Sequence, residues 1–276
     1  MRAAVVASRP AELAERLRTL KAQLSAPLPA RAHCSDSLFL GSGTVPPRVA
    51  FLFPGQGSPA RLAGGIWQRR FESGRQLYAQ AEMPAEGDCV SARVMQPAIV
   101  TASLAGLKVL DELGIEAHAA IGHSLGEITA LHWAGVLSDE ALLRIARVRG
   151  AAMADLGSPT GGMLAIAAPA GKVQALLNSD AVTIVGYNSP RQTVVAGEVA
   201  ALKHVAERAG TQGWQTTPLP VSHAFHTPLV AAAVPVLEEQ LACEHFARLE
   251  RPIISTITGA VLSEHEDLRA LLCRQV

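Results

Sequence analysis

The sequence has few cysteines, no excess of charge of either sign and no long apolar run. Its four cysteines are scattered, and without a CxxC pair or a Cys/His cluster at zinc-ligand spacing they support neither a disulfide framework nor a zinc site. Scattered thiols suit a reducing cytosol, so we expect a cytoplasmic protein.

A formal net charge of zero gives the chain no general attraction for nucleic acid or for an anionic membrane surface. The N-terminus lacks the apolar core of a signal peptide. Lys108 and Asp111 interrupt the longest apolar-leaning stretch, 98–113, so this stretch cannot span a bilayer. Nucleic acid and membrane are therefore not expected as partners.

The sequence does contain enough apolar residues for a large core. Of its 276 residues, 49% are hydrophobic and 17% charged, a composition that disfavours disorder. The first segment, 1–48, begins with a short strand and a helix, for which Ser8 is the expected N-cap. Residues 26–48 are rich in Pro, Ser and Gly, which predicts a linker or surface wrap. The leucines at helical spacing are Leu13, Leu17, Leu20 and Leu24.

The second segment, 49–156, carries the pattern of a large α/β subdomain. Val49–Phe53 is a continuous apolar run, typical of a strand buried on both faces, and a Gly-rich turn follows at 54–58. The other predicted elements are a helix from about Pro97 to Leu113, a strand at His118–Gly122, a helix ending at Trp133 and a helix that begins after Ser138.

From 157 to 221 the pattern changes to short strands and helices in the order βαββαβ. This order predicts a small ferredoxin-like subdomain. Segment 222–276 returns to the large subdomain, with a helix near 229–241 and a strand at 252–258. The predicted fold class is therefore α/β, with a hydrolase-like large subdomain around a parallel sheet and a small ferredoxin-like subdomain.

A candidate nucleophile lies in Gly122-His-Ser-Leu-Gly126, which fits G-x-S-x-G between a predicted strand and a predicted helix. A serine on such a tight turn is pushed out of the backbone with its Oγ exposed, and flanking glycines avoid collisions there. The helix start offers free N–H groups and a positive dipole end, which suit a developing oxyanion. Ser124 is the candidate, against a chance match in a chain rich in Gly and Ala. Glu127, in the first turn of the helix, is assigned a structural role.

A serine hydroxyl needs a base before it can act as a nucleophile. The segment Ser222-His-Ala-Phe-His-Thr-Pro228 places two histidines three residues apart in a predicted loop. Such loops often carry catalytic residues. The spacing does not choose between His223 and His226, and a structural role for both is the alternative.

Arg149 lies on the apolar face of the helix predicted after Ser138. At about 100° per residue, it shares this face with Leu142, Ile145 and Met153. An unpaired buried charge is very costly, so the guanidinium needs an anionic partner. The partner is either a carboxylate of the protein or a carboxylate of a substrate.

Several motifs occur in the order seen in malonyl-CoA:acyl carrier protein transacylases: FPGQGS, GHSLGE, an Arg-Gly in the next helix, NSP and HAFHTPL. The chain resembles this family over roughly residues 1–276, and most of all the acyltransferase domains of type I polyketide synthases of antibiotic biosynthesis. It is also similar to iterative synthases of the enediyne type. Residues 1–48 resemble the segment that joins a ketosynthase to its acyltransferase.

The resemblance implies that Ser124 takes malonyl from malonyl-CoA and passes it to the phosphopantetheine thiol of an acyl carrier protein, beside a ketosynthase domain and with no metal or redox cofactor. It selects His226 as the base and Arg149 as the clamp on the malonyl carboxylate. The other implied site residues are Gln56 and Leu125, whose amides form the oxyanion hole; Gln96, near the acyl pocket; His223 and Phe225, in the tetrapeptide that accompanies malonyl rather than methylmalonyl; Asn188, from the small subdomain; and Gln275, whose backbone carbonyl orients the base.

Two other classes of function stay open at this point. An α/β-hydrolase-type esterase or thioesterase needs an acid between the serine and the histidine in the chain, and Asp139, Asp155 and Asp180 are available. A non-catalytic docking domain of a megasynthase is the other class. Intact Ser124 and His226 argue against it.

The chain departs from the family pattern in three places. Pro59 follows Ser58 where the family usually has Gln, and the stretch between Ser58 and Gln96 is shorter than expected, which predicts a reduced helical edge. The chain ends at Val276, where relatives continue with a strand and a helix. We therefore expect a shortened C-terminal region.

Overall fold

The structure is a computed structural model. The residues that it describes are 2–25, 33–41, 47–177 and 181–276. The chain divides into two compact units, Met1–Arg48 and Val49–Val276.

The first unit contains one helix and a three-stranded antiparallel sheet. Strand β3 (Leu38–Gly41) lies between β1 (Arg2–Val5) and β2 (His33–Cys34). The prediction of a loose stretch over 26–48 is therefore wrong for β2 and β3, because each edge of β3 finds a partner strand. Residues 26–32 and 42–46 lie outside the described residues.

Helix α1 (Pro10–Leu24) forms as predicted, but its start differs from the expectation. The prediction of Ser8 as N-cap is wrong: Arg9 occupies that position without a side-chain cap. The Ser8 amide instead donates to Glu12 Oε2 at 2.9 Å, so a first-turn carboxylate stabilises the helix start. No side chain of α1 is buried.

The second unit is built on a three-stranded parallel sheet. Its strands are β4 (Ala50–Phe53), β5 (Ala119–Gly122) and β10 (Ile253–Ser255), in the order β10-β5-β4. At their carboxyl ends, Gly122 pairs with Phe53 on one side and with Ser255 on the other. The loops that follow the three strands therefore emerge at one edge, where α/β folds place their sites.

Helices surround this sheet and share a continuous apolar core with it. The longest, α4 (Ala92–Glu112), begins before the predicted start near Pro97, which lies inside the helix. A proline removes one amide donor from a helix, and the burial of Ala92 and Met95 offsets that loss. The helices of this unit outside the small sheet are α2 (Gly65–Arg70), α3 (Glu72–Gln80), α4 (Ala92–Glu112), α5 (Gly126–Trp133), α6 (Asp139–Leu156), a 3-10 turn (Pro228–Ala233), α9 (Val234–Cys243) and α10 (Leu268–Arg274).

A second, antiparallel sheet confirms the predicted small subdomain. Its strands lie in the order β7 (Val182–Ser189), β8 (Gln192–Glu198), β6 (Gly161–Ile166) and β9 (Thr216–Pro218), which is the order of a ferredoxin-like βαββαβ unit. It has its own core, in which Ile166, Val173 and Val195 are fully buried. The elements are β6 (Gly161–Ile166), α7 (Ala170–Leu176), β7 (Val182–Ser189), β8 (Gln192–Glu198), α8 (Val199–Thr211) and β9 (Thr216–Pro218). The α/β fold class with two subdomains is confirmed. Among the described residues, no helix is long and apolar enough to cross a membrane.

Candidate active site

Ser124 lies on a tight turn between β5 and α5. Its φ of 52° is in the left-handed region, which non-glycine residues rarely adopt. A Cβ on Gly122 would lie 2.3 Å from Glu127 N, and one on Gly126 would lie 2.2 Å from Phe53 O. Only glycine fits at these two positions, so the motif holds the serine in a strained and outward-facing conformation.

His226 is the histidine that contacts this serine. Ser124 Oγ lies 2.9 Å from His226 Nε2, and His226 Nδ1 bonds the backbone carbonyl of Gln275. Since a carbonyl only accepts, Nδ1 carries the hydrogen and Nε2 is free to accept one. Burial, followed by the nearby positive charge of Arg149, lowers the pKa of His226 to about 4. The imidazole is therefore neutral near pH 7 and able to take the serine proton.

The turn after β4 packs directly against Ser124. A Cβ on Gly55 would lie 2.6 Å from His123 O and 3.3 Å from Ser124 Cβ. The backbone amides of Gln56 and Leu125 have no hydrogen-bond acceptor within the described chain. Leu125 is also the N-cap of α5. Leu125 directly follows the nucleophile, and Gln56 directly follows Gly55, which packs against Ser124. The role of the two amides as an oxyanion hole stays a prediction.

Arg149 is buried, with 3% of its surface exposed, on the apolar face of α6. Its Nη1 donates to Gln96 Oε1 at 2.7 Å and its Nη2 to Gln275 Oε1 at 3.4 Å. Its Nε is buried without a partner. Within the described residues no carboxylate pairs with it, which disfavours the alternative of an internal salt bridge. Burial lowers the pKa of Arg149 to about 10, and the guanidinium stays charged at neutral pH.

Close packing of two helices brings Gln96 to this arginine. A Cβ on Gly150 would lie 2.5 Å from Ala92 O and 3.3 Å from Gln96 Cβ. The glycine after Arg149 therefore allows α6 to approach α4 closely. Gln96 Nε2 in turn donates to Gln56 Oε1 at 3.1 Å, which connects the arginine to the turn after β4.

Gln275 connects the nucleophile, the base and the arginine. Its backbone carbonyl accepts from His226 Nδ1. Its side chain donates from Nε2 to Ser124 O at 2.8 Å and accepts at Oε1 from Arg149. The sequence pointed to the backbone carbonyl through a family resemblance, and no sequence signal pointed to the side chain.

Among the residues that the structure describes, no carboxylate bonds His226 in the way that a Ser-His-Asp triad requires. Asp139 pairs with Lys108 at 2.6 Å, and Asp155 pairs with Arg93. Asp180 lies outside the described residues. The contact of His226 with a carbonyl rather than with a carboxylate disfavours the hydrolase alternative.

Three predicted site residues have no recorded hydrogen bond to Ser124, His226 or Arg149 within the described chain. His223 is buried and bonds Ser222 Oγ at 2.8 Å, and its ring centroid lies 6.1 Å from that of Phe225. Asn188 is exposed in the β7–β8 hairpin and donates to Gln192 Oε1. A role for these three in binding stays a prediction.

Glu127 has a larger structural role than its place in a helix start indicates. Its Oε1 accepts from Ser255 Oγ at 3.0 Å and from Thr256 Oγ1 at 2.8 Å, and Thr256 Oγ1 lies 2.9 Å from Gly122 O. Burial raises the pKa of Glu127. This carboxyl group therefore ties the loop after β10 to the serine turn. The sequence does not reveal these contacts because the register of β10 is not readable from a short apolar run.

No group of three potential metal ligands occurs among the described residues. The absence of a metal or redox cofactor stays a prediction.

Known proteins are similar to this chain over most of its length. The family model for the acyl transferase domain matches residues 70–270. Polyketide synthase GfsA of Streptomyces halstedii is 33% identical over 303 residues, which cover 96% of this chain and 4% of the synthase. The malonyl CoA-acyl carrier protein transacylase of Bacillus subtilis (strain 168) is 30% identical over 258 residues, which cover 83% of this chain and 78% of that protein.

Solved structures show the same similarity. The acyltransferase domain of the iterative polyketide synthase in enediyne biosynthesis has a TM-score of 0.78 and 36% identity, covering 96% of this chain and 63% of that one. The chain corresponds to only a small part of the polyketide synthase GfsA.

Proposed function

The chain belongs to the acyl transferase domain family, and from this membership we propose that it moves a malonyl group from malonyl-CoA to the phosphopantetheine thiol of an acyl carrier protein. The observation that carries the choice of malonyl is Arg149, a buried cation whose described partners are neutral amide oxygens. A substrate with a free carboxylate supplies the missing anion, whereas acetyl does not.

Arg144, on the same helix, shows how an arginine binds a carboxylate in this protein. Arg144 Nε and Nη2 donate to the two oxygens of Glu244 at 2.8 and 2.7 Å. In Arg149 the same edge of the guanidinium has a buried, unpartnered Nε and one long contact at Nη2. This edge has the donors for a bidentate bond to the malonyl carboxylate.

The dyad geometry supports a two-step transfer. Ser124 Oγ attacks the thioester carbonyl while His226 Nε2 takes its proton, and the amides of Gln56 and Leu125 stabilise the oxyanion. The C–S bond breaks, and His226 returns the proton to the coenzyme A sulfur. The carrier thiol then gives its proton to His226 and attacks the carbonyl of the seryl ester. The bond between this carbonyl carbon and Ser124 Oγ breaks, His226 returns the proton to Oγ, and the malonyl group leaves as a thioester of the carrier.

The setting of this activity is also a proposal. We propose that the chain acts in a cytoplasmic polyketide synthase, beside a ketosynthase and of the iterative enediyne type. The polyketide synthases among its relatives support the synthase setting. The free state of Cys89, Cys243 and Cys273 accords with a reducing compartment. No metal or redox cofactor has a step in this mechanism.

Intact-mass labelling tests the proposal. The protein is incubated with malonyl-CoA, methylmalonyl-CoA or acetyl-CoA, and Ser124→Ala serves as the control. We expect a malonyl adduct on Ser124, absent from the control. Arg149→Ala should lower malonyl labelling about 100-fold and leave acetyl labelling nearly unchanged, since a hydrogen-bonded ion pair is lost only for malonyl.

Three results would contradict the proposal. Equal labelling of the wild type by all three donors would refute the clamp. Rapid release of free malonate without transfer to a carrier thiol would favour a hydrolase. No labelling by any donor would favour a docking domain.

A further inference from the structure

We propose that the side chain of Gln275 is a positioning residue that couples occupancy of the Arg149 clamp to the geometry of Ser124. The inference rests on the proposed malonyl transfer and assigns the side chain a role separate from that of the backbone carbonyl. Gln275 is 6% exposed, so its amide competes little with water for these contacts.

The chemistry of its partners fixes the orientation of the amide group. Ser124 O can only accept a hydrogen bond and Arg149 Nη2 can only donate one, so Nε2 must face the serine and Oε1 the arginine. A flipped amide would lose both bonds. One side chain therefore spans the distance between the nucleophile's backbone and the clamp.

Nε2 of Gln275, which faces the serine, helps to hold Ser124 in its strained backbone conformation. Ser124 O accepts from Glu127 N at 2.9 Å, within the turn, and from Gln275 Nε2 at 2.8 Å, from outside it. At a φ of 52°, Ser124 stays in place only where its surroundings hold it. The Gln275 amide is one of these restraints and the one that reaches the clamp.

The end at the arginine is the weaker contact. Arg149 Nη2 lies 3.4 Å from Gln275 Oε1, whereas Nη1 lies 2.7 Å from Gln96 Oε1. A carboxylate that takes Nη2 therefore competes with Gln275 more readily than with Gln96. The same amide contacts Ser124, so a change at the clamp is transmitted to the backbone of the nucleophile.

Two substitutions at this position separate the side chain from the backbone carbonyl, which both retain. Gln275→Met keeps the volume and removes both hydrogen bonds. Gln275→Glu keeps the shape, places an internal carboxylate beside Arg149 and removes the donor to Ser124 O. The matched control is Gln240→Met, because Gln240 is half-buried, bonds Glu244 and lies in α9 outside the site.

The measurement is the ratio of kcat/KM for malonyl-CoA to that for acetyl-CoA, with thermal melting to establish folding. We expect Gln275→Met to raise this ratio, by up to about tenfold, because the malonyl carboxylate then has no amide to displace from Arg149 Nη2. Gln275→Glu should lower this ratio about 100-fold, because the introduced carboxylate then binds Arg149 in place of the malonyl carboxylate. In an Arg149→Ala background, neither substitution should change the ratio further. Gln240→Met should keep the wild-type ratio.

A purely structural role would lower transfer from both donors equally, so an unchanged ratio in both folded variants would overturn the proposal. If Gln275→Met fails to fold, the isosteric Gln275→Glu decides alone. Failure of the proposed function is distinguishable, since it appears as no malonyl transfer by the wild type itself.

Discussion

The buried base predicts a specific loss of stability in acid. The pKa of His226 is about 4 in the folded protein, because burial and then the Arg149 charge disfavour the imidazolium, against 6.5 for a free histidine. The unfolded chain therefore binds a proton at a pH where the folded site does not. The stabilising contribution of this depressed pKa is complete above about pH 6.5 and is lost as the pH falls towards 4.

The size of this loss follows from the two pKa values. One pKa unit corresponds to about 1.4 kcal/mol, so the free energy of unfolding should fall by about 3 kcal/mol between pH 7 and pH 4 through His226 alone. Other histidines and carboxyl groups add their own pH dependence. A matched comparison with His226→Gln removes those contributions, since they are common to both proteins.

The assay is urea denaturation of the wild type and of His226→Gln at pH 7, 5.5 and 4. The wild type should lose about 3 kcal/mol more than the variant over this range. The pH at which acetyl transfer falls to half its maximal rate in acid should also be higher for Arg149→Met than for the wild type, because removing the positive charge raises the pKa of His226. Parallel pH dependences of stability in the two proteins would refute the burial of a neutral His226.

Three further predictions concern the frame of the site. Gly126→Ala should lower the free energy of unfolding by about 3 kcal/mol, because the new Cβ would lie 2.2 Å from Phe53 O. The control, Gly106→Ala, has no atom within 4 Å of the new Cβ and should be neutral or stabilising. Equal melting temperatures of the two variants would contradict this prediction. Thr256→Val should lower the free energy of unfolding by about 1–3 kcal/mol, because it removes the hydroxyl that contacts both Gly122 O and Glu127 Oε1. It should slow the labelling of Ser124 by malonyl-CoA and by acetyl-CoA equally. A change in donor preference would count against this prediction. Asn188→Ala should leave kcat/KM for malonyl-CoA within about twofold, because among the described residues the hydrogen bond of its amide is to Gln192 in the same hairpin. A larger loss would support the predicted role of Asn188 in binding.

Local signals in the sequence were sufficient for the serine turn and for the small subdomain. The glycines around Ser124 determine a conformation that depends on a few neighbouring residues, and the βαββαβ pattern lies within one continuous segment. Helices α2 and α3 had no comparable signal, because they are short and α2 has no buried residue. Both helices lie in the stretch between Ser58 and Gln96, for which the sequence predicts a reduced helical edge.

Sequence patterns alone do not predict which residues far apart in the chain contact one another. Gln275 is 151 residues from Ser124 and 126 from Arg149, and a single glutamine carries no periodicity that would mark it as the connection. The same limit applies to the choice between His223 and His226. Helical spacing or chain order cannot express which imidazole lies 2.9 Å from Ser124 Oγ.

Arg149 shows where the sequence argument and the structural argument meet. Helical periodicity alone places it on a buried face, and elementary electrostatics demands an anion beside it. The identity of the partner depends on how closely α6 approaches α4 at Gly150, which only the structure reveals. There the charge meets two amide oxygens and no described carboxylate, an arrangement that lowers the stability of the folded chain. A buried charge without an ionic partner is expected at a functional site rather than in an ordinary core, and a substrate with a carboxylate would supply the partner.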